Sequence, residues 1–313
     1  MDRLREGSNE AWGPGRHRGQ GRTGNLAKAS LIRTGGAEKM HKLAEGAEAY
    51  GHGPADSPIE PRIVPLLEAM KPPWAKTMVM GITLAGKPLL FDLESRSIHH
   101  MLIEAAEGDE TSEFLRSLAC SLSLTTVPAQ AQLFPVDMGG RELVVLEGLP
   151  HSPRGMASDK DSLDALLVSL EREVMRRLQS AVAGPHLVVM VHGLQLFLDG
   201  RLEAQLKGLI RIGEVGGPLG VHLLMAGAAG TKSRFHALEG LHGLALVGHD
   251  PGFEGRSRKA LVVTAGNERI AFVAGMLTLY DLDRAFRQIA LGGRLDLRAR
   301  GVEVWPALSL RSV

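Results

Sequence analysis

Residues 104–113, EAAEGDETSE, stand where an apolar run gives way to a helical pattern, the place a phosphate-binding loop takes between a strand and a helix. Such a loop needs glycines, so that backbone N–H groups approach the phosphates, a lysine against the β- and γ-phosphates, and a Ser or Thr for magnesium. Gly108 and the pair Thr111-Ser112 suit those roles. The lysine is absent, and the segment carries five acids, Glu104, Glu107, Asp109, Glu110 and Glu113, with no Lys or Arg before Arg116. A carboxylate within ~5 Å of a triphosphate, at an effective dielectric near 20, repels each phosphate charge by roughly 3 kcal/mol before screening. A helix N-terminus returns only about half a unit of positive charge. The balance reads as a helix entry whose acids complement the dipole. The alternative is ATP binding rescued by metal ions or by a lysine from a partner.

The second place for chemistry is the end of the apolar run HLVVMVHG, 186–193. A Mg-ATP hydrolase needs one carboxylate there to hold magnesium through water and another to activate the attacking water. Here the residues are His192 and Gly193. An imidazole is a poor ligand for a hard cation, and glycine has no base to offer. The next acid is Asp199. Asp137, at a strand end before Gly139-Gly140, is the one carboxylate placed like a functional acid, with turn formation as its simpler role. GAAGTKS, 227–233, looks like a phosphate loop, but its spacing is GxxGxKS rather than GxxxxGK[ST], so it reads as a turn with Lys232 and Arg234 on the surface. Twelve histidines include no HExxH, His99 and His100 should point to opposite faces of a strand, and no metal site is expected. The single cysteine, Cys120, excludes a disulfide and reads as a small buried hydrophobe.

These positions need elements to hold them. Strands are predicted at 78–84, 88–93, 100–105, 131–137, 186–192, 220–227, 244–248, 260–265 and 269–275. A helix over 111–123 has Phe114, Leu115, Leu118 and Leu122 on one face. A longer one, 159–181, starts on a Ser158/Asp161 capping box and carries Leu163, Leu166, Leu167, Leu170, Val174 and Leu178 as its apolar stripe. Further helices are predicted at about 201–212 and 281–291, and a short amphipathic element at 61–73. Strands alternating with helices argue for an α/β domain, a mainly parallel sheet with helices on both faces. Ligands in such sheets sit at the carboxyl ends of the strands, which singles out the loops after 105, 137, 192 and 227.

The chain has 313 residues, is 44% apolar, 23% charged and 4% aromatic, and has a net charge of +1. That balance excludes collagen, a membrane bundle and a strongly basic nucleic-acid binder. The richest apolar run, 187–198, is shorter than the ~18 residues of a membrane span. Residues 1–60 hold eleven of the 38 glycines. They read as a flexible Gly/Arg-containing segment, with a weak helix near 37–49 and, at 13–24, a candidate weak contact to nucleic acid.

In order, GKPLLFDL (86–93), HMLIEAAEGDETSEFLRSL (100–118), AQLFPVDMGGRELVVLEGLPH (131–151), DKDSLDALLVSLEREVMRRL (159–178), HLVVMVHG (186–193) and GPLGVHLLMAG (217–227) resemble the FtsK/SpoIIIE family of RecA-like P-loop motors. The nearer likeness is to the ATPase domains of type VII secretion, with LEGLPH the most specific part. The resemblance implies a RecA-like P-loop NTPase fold over 61–292 and a C-terminal extension at 293–313. Laid on the family's motifs, Gly108 and Ser112 match the Walker A loop's second glycine and its Ser/Thr. Ala105 replaces the first glycine, Glu110 another glycine, and Thr111 the lysine. His192 and Gly193 stand where the Walker B Asp-Glu pair belongs, and Ala226 to Ala229 offer no polar sensor. The resemblance thus implies a degenerate, non-hydrolysing domain. It would need no cofactor, would suit Mg-ATP poorly, and would associate with active subunits of the same family or with itself. The alternatives are an ATP-binding translocase with an unorthodox site and a DNA-binding accessory protein. The expected location is the cytoplasm, with any membrane association made through a partner.

Overall fold

The computed structural model describes residues 61–69, 76–105, 108–180, 184–197, 201–228, 238, 241–249, 260–290 and 308–309. The expectations for 1–60, for Asp199 and for the loop from Ala229 to Arg234 lie outside these residues.

In chain order the elements are α1 (Ile63–Ala69), β1 (Thr77–Thr83), β2 (Pro88–Asp92), β3 (His100–Ala105), α2 (Gly108–Thr125), β4 (Ala131–Asp137), α3 (Lys160–Ser180), β5 (His186–His192), α4 (Glu203–Gly216), β6 (Val221–Ala228), β7 (Leu244–His249), β8 (Ala260–Ala265), β9 (Glu268–Ala274), α5 (Leu279–Ala290) and β10 (Leu308–Ser309). They form one sheet in the order β10-β2-β1-β9-β8-β7-β3-β6-β5-β4. From β4 through β5, β6 and β3 to β7 every pairing is parallel. From β7 through β8, β9 and β1 to β2 every pairing is antiparallel. The switch follows connection length. The link between β8 and β9 turns on Gly266 and that between β1 and β2 on Gly86, both at positive φ. Such short turns allow only antiparallel return, whereas the parallel strands are separated by helices. β10 pairs parallel with β2 at the far edge.

Helices cover both faces of the parallel half, as its near-continuous apolar strands require. On one face α2 buries Phe114, Leu115, Leu118 and Leu122 in a cluster shared with α1, α5 and the antiparallel strands. On the other, α3 and α4 bury Leu163, Leu166, Leu170, Leu206 and Leu209 against Val189, Val191 and Leu223. Two details of α3 differ from the sequence reading. The reciprocal cap is Asp159 with Ser162, not Ser158 with Asp161. The Ser162 amide donates to Asp159 Oδ1 at 2.7 Å and the Asp159 amide to Ser162 Oγ at 3.2 Å. Leu178 is 51% exposed, and Arg177 takes the buried position at 4%. Arg177 can be buried because its donors are met by Glu173 Oε1, Leu219 O and Pro185 O at 2.8, 2.7 and 2.6 Å.

The edge of β4 is closed by the segment that runs from LEGLPH to Ala157. Leu133 N donates to His151 O, and Ala157 N to Pro135 O. Pro135, which lacks an N–H, is tolerated because β4 is an edge strand. Covering that edge blunts the row of backbone groups an edge strand would otherwise expose.

Candidate functional site

The carboxyl ends of β3, β5 and β4 lie along one edge, and α2 starts above them. β3 ends at Ala105 and α2 begins at Gly108, so the predicted strand–loop–helix is present. Ala105 is buried and registers with Ala228 on β6. Thr111 and Ser112 are both buried, at 1% and 0% exposure. Glu104, Glu110 and Glu113 are half-buried. Glu107 and the side chain of Asp109 lie outside the described residues. The first turn of α2 thus puts its hydroxyls into the protein interior and leaves acids at its rim, an arrangement favoured by the helix dipole.

β4 and β5 pair residue for residue over seven positions, so that Asp137 and His192 are directly opposite. Strand alternation puts both on the α2 face, with Leu133 on β4 and Val188 and Met190 on β5. His192 Nδ1 is 3.3 Å from Asp137 Oδ1. The carboxylate of Asp137, 1% exposed, also accepts the N–H of Gly140 on Oδ1 and of Leu143 on Oδ2, each at 3.2 Å. Asp137 therefore organises the turn through Gly139-Gly140 and anchors His192. A Cβ on Gly139 would meet Leu196 Cδ1 at 2.4 Å, so a larger residue there requires the Leu196 side chain to move. Arg116 ties the turn to α2 by donating to Glu142 O at 2.8 Å and to its Oε2 at 3.1 Å.

Gly193 comes next with φ +73, in the left-handed region that L side chains rarely adopt. The backbone at this position is thus unsuited to the glutamate of a hydrolase. Among the described residues no group of three or more His, Cys, Asp or Glu side chains could hold a metal ion. β6 ends on Gly227 and Ala228, with no polar side chain. Among the described residues, the ends of β4 and β5 offer one imidazole hydrogen-bonded to one buried carboxylate.

Sequence reasoning singles out Asp137 and His192 separately and misses their pairing, although two seven-residue strands that each end on a polar residue carry the signal. At the opposite edge, His99 and His100 do not diverge as expected. His99 precedes β3, so strand alternation does not apply to it, and both rings approach Gly217. Cys120 is fully buried, and burial pushes its thiol up to about 12.

Residues 69–184 match the FtsK/SpoIIIE family. The DNA translocase FtsK of Pseudomonas putida is 30% identical over 108 residues, 34% of this chain and 13% of that protein. The DNA translocase FtsK of Pseudomonas aeruginosa is 28% identical over 107 residues, again 34% of this chain and 13% of that protein. The chain thus spans about an eighth of the curated relatives it matches. Among solved structures, the cytoplasmic domain of the Thermomonospora curvata type VII secretion ATPase EccC superposes with a TM-score of 0.60 at 21% identity, over 71% of this chain and 32% of that one. EssC (ATPases 2 and 3) from Geobacillus thermodenitrificans gives a TM-score of 0.56 at 17% identity, over 80% and 54% of the two chains. The fold is therefore the RecA-like P-loop α/β fold of these ATPases.

Proposed function

The chain carries an FtsK/SpoIIIE-family segment at residues 69–184 on a RecA-like fold, and from that premise we propose that it is a non-hydrolysing subunit of a translocation or secretion ATPase assembly. Its role is interaction or regulation beside ATP-hydrolysing subunits. The observation that carries this reading is the end of β5. An imidazole stands there, 3.3 Å from a buried carboxylate that already serves two backbone N–H groups. A magnesium-holding acid and a water-activating base have no counterpart in that arrangement. Two further features support it: the left-handed backbone of Gly193, and a loop at 104–113 rich in acid and without lysine.

The unit would run from 61 to 292, with 293–313 as an extension. Its partners would be active ATPase subunits of the same family or further copies of itself, with any membrane association made through them. The related EssC structure is described as ATPases 2 and 3, which supports association of such domains with one another. A weak nucleic-acid contact through 13–24 would be secondary.

The test is titration of a fluorescent ATP analogue, with and without magnesium, alongside phosphate release. The expected result is a Kd for Mg-ATP weaker than about 1 mM, only ~4 kcal/mol of binding, and turnover at background. The relatives named DNA translocases favour a second reading, an ATP-driven translocase. Saturable hydrolysis that Ser112→Ala abolishes would establish that reading and overturn the first.

A further inference from the structure

Four histidines gather at the amino-terminal edge of the parallel sheet, opposite the candidate site. His100 opens β3, His186 opens β5, His222 is the second residue of β6, and His99 lies just before β3. The hydrogen bonds determine how the inner two rings must be protonated. His222 Nδ1 lies 2.9 Å from the carbonyl of His99, which can only accept, so Nδ1 carries the proton. While His222 is neutral its Nε2 accepts from His186 Nδ1, also at 2.9 Å. His100 Nδ1 accepts the N–H of Leu223 at 3.1 Å. His100 is therefore held neutral by a backbone N–H that can only donate, whereas the His222–His186 bond can reverse by a change of tautomer on His186. Both inner rings are deeply buried, His222 at 0% and His100 at 1% exposure.

We propose that His100 forms an acid-sensitive latch on the β3–β6 junction: a proton on its Nδ1 sets two donors, the imidazolium N–H and the Leu223 amide, face to face and releases the amino-terminal edge of the sheet, leaving the candidate site at the other edge in place.

Burial sets the balance against charge on both inner rings, opposed by the backbone of Gly213 at His100 and of His99 at His222. Burial, then the neighbouring His99, pushes His100 down to about 3. Burial, then the neighbouring His186, lowers His222 well below its ordinary value. The outer ring, His186, is pushed down to about 4, by burial first and then by Lys76, against the opposing pull of Glu94 and Asp92. Arg177 adds a second cation on that side, where a Cβ on Gly220 would touch both its Nη1 and His186 Nδ1. Phe91 stands edge-on to His222, and a Cβ on Gly217 would meet His100 Nε2 at 3.0 Å. No carboxylate among the described residues is bonded to either inner ring. His186 itself can take a proton on Nε2 and still donate from Nδ1, so it transmits charge to the latch without breaking it.

Once freed, the His100 ring titrates near 6.5, so lowering the pH from 7.5 to 5.0 multiplies the opening constant by about 30, and by a similar factor for each further buried ring that opening frees. The test is amide hydrogen exchange of the whole protein at both pH values, corrected for intrinsic rates. Leu223 should lose protection by about 30-fold or more, and Gly140 and Leu143 at the other edge by less than threefold. His100→Asn offers Leu223 an acceptor that does not titrate, so the acid response should shrink about 30-fold. If His100→Asn does not fold, ring-nitrogen shifts in the unaltered protein give the second readout. His100 Nδ1 should be bare at pH 7.5 and gain a proton in step with the lost protection. Unchanged protection at pH 5.0, loss of protection with His100 still neutral, or equal loss at both edges would each overturn the latch.

Discussion

Replacing His192 by Asp tests whether the end of β5 is organised around an imidazole. The aspartate puts a carboxylate oxygen close to where His192 Nδ1 stands, 3.3 Å from Asp137 Oδ1. At an effective dielectric near 20, two full charges at that distance repel by about 5 kcal/mol. The molecule can relieve this by keeping one proton on the pair, which raises the apparent pKa of one carboxyl above its unfolded value. Below the unfolded carboxyl pKa the penalty is absent, and it grows as the pH rises through and beyond that value until the folded pair ionises. We expect His192→Asp to lose about 2–4 kcal/mol at pH 7.5, roughly 5–15 °C in Tm for a domain of this size, and less at pH 5.0. His192→Asn keeps an N–H for Asp137 and should stay within about 1 kcal/mol of the native protein. Millimolar magnesium should recover part of the stability that His192→Asp loses, because two facing carboxylates suit a hard cation. Thermal melts at two pH values, with and without magnesium, measure each of these effects. A His192→Asp protein as stable as the native one at pH 7.5 without magnesium would refute the contact between Asp137 and His192.

Two further outcomes rest on burial. Thr111 is 1% exposed, so Thr111→Lys forces an ammonium out of the interior and should cost about 2–4 kcal/mol in denaturant unfolding; stabilisation of that variant by tripolyphosphate would show that the loop retains a phosphate cradle. Asp281, also buried, accepts from Arg62 Nε and Nη2 at 3.0 and 2.6 Å and exchanges capping bonds with Thr278 at the start of α5. Burial alone would raise its carboxyl, but the Arg62 guanidinium and the Thr278 hydroxyl overcome this and hold it below the ordinary value. Its contribution is present above the unfolded pKa and lost as pH falls through the lower folded one. Asp281→Asn should therefore lower stability by about 1–3 kcal/mol at pH 7, with the gap closing in acid melts.

The elements themselves are legible in the sequence because their signals are local. The stripe Phe114, Leu115, Leu118 and Leu122 lies within one helix, and the continuous apolar run at 186–192 declares a strand buried on both faces. The absence of a lysine from 104–113 and of acids from 192–193 is likewise a matter of residue type and place. The errors in α3, at the Asp159 cap and in the burial of Arg177 in place of Leu178, come from contacts that residue type and spacing do not reveal. Arg177 is inside because Pro185 and Leu219 bring carbonyls to it. Tertiary structure alone decided that β6 lies between β3 and β5, that β4 and β5 align Asp137 with His192, and that three strand starts bring four histidines together. The period of a pattern is set by a helix's or strand's own geometry. Strand order and register are set by which apolar faces and backbone groups satisfy one another across the chain, and those pairings leave no mark within any single segment.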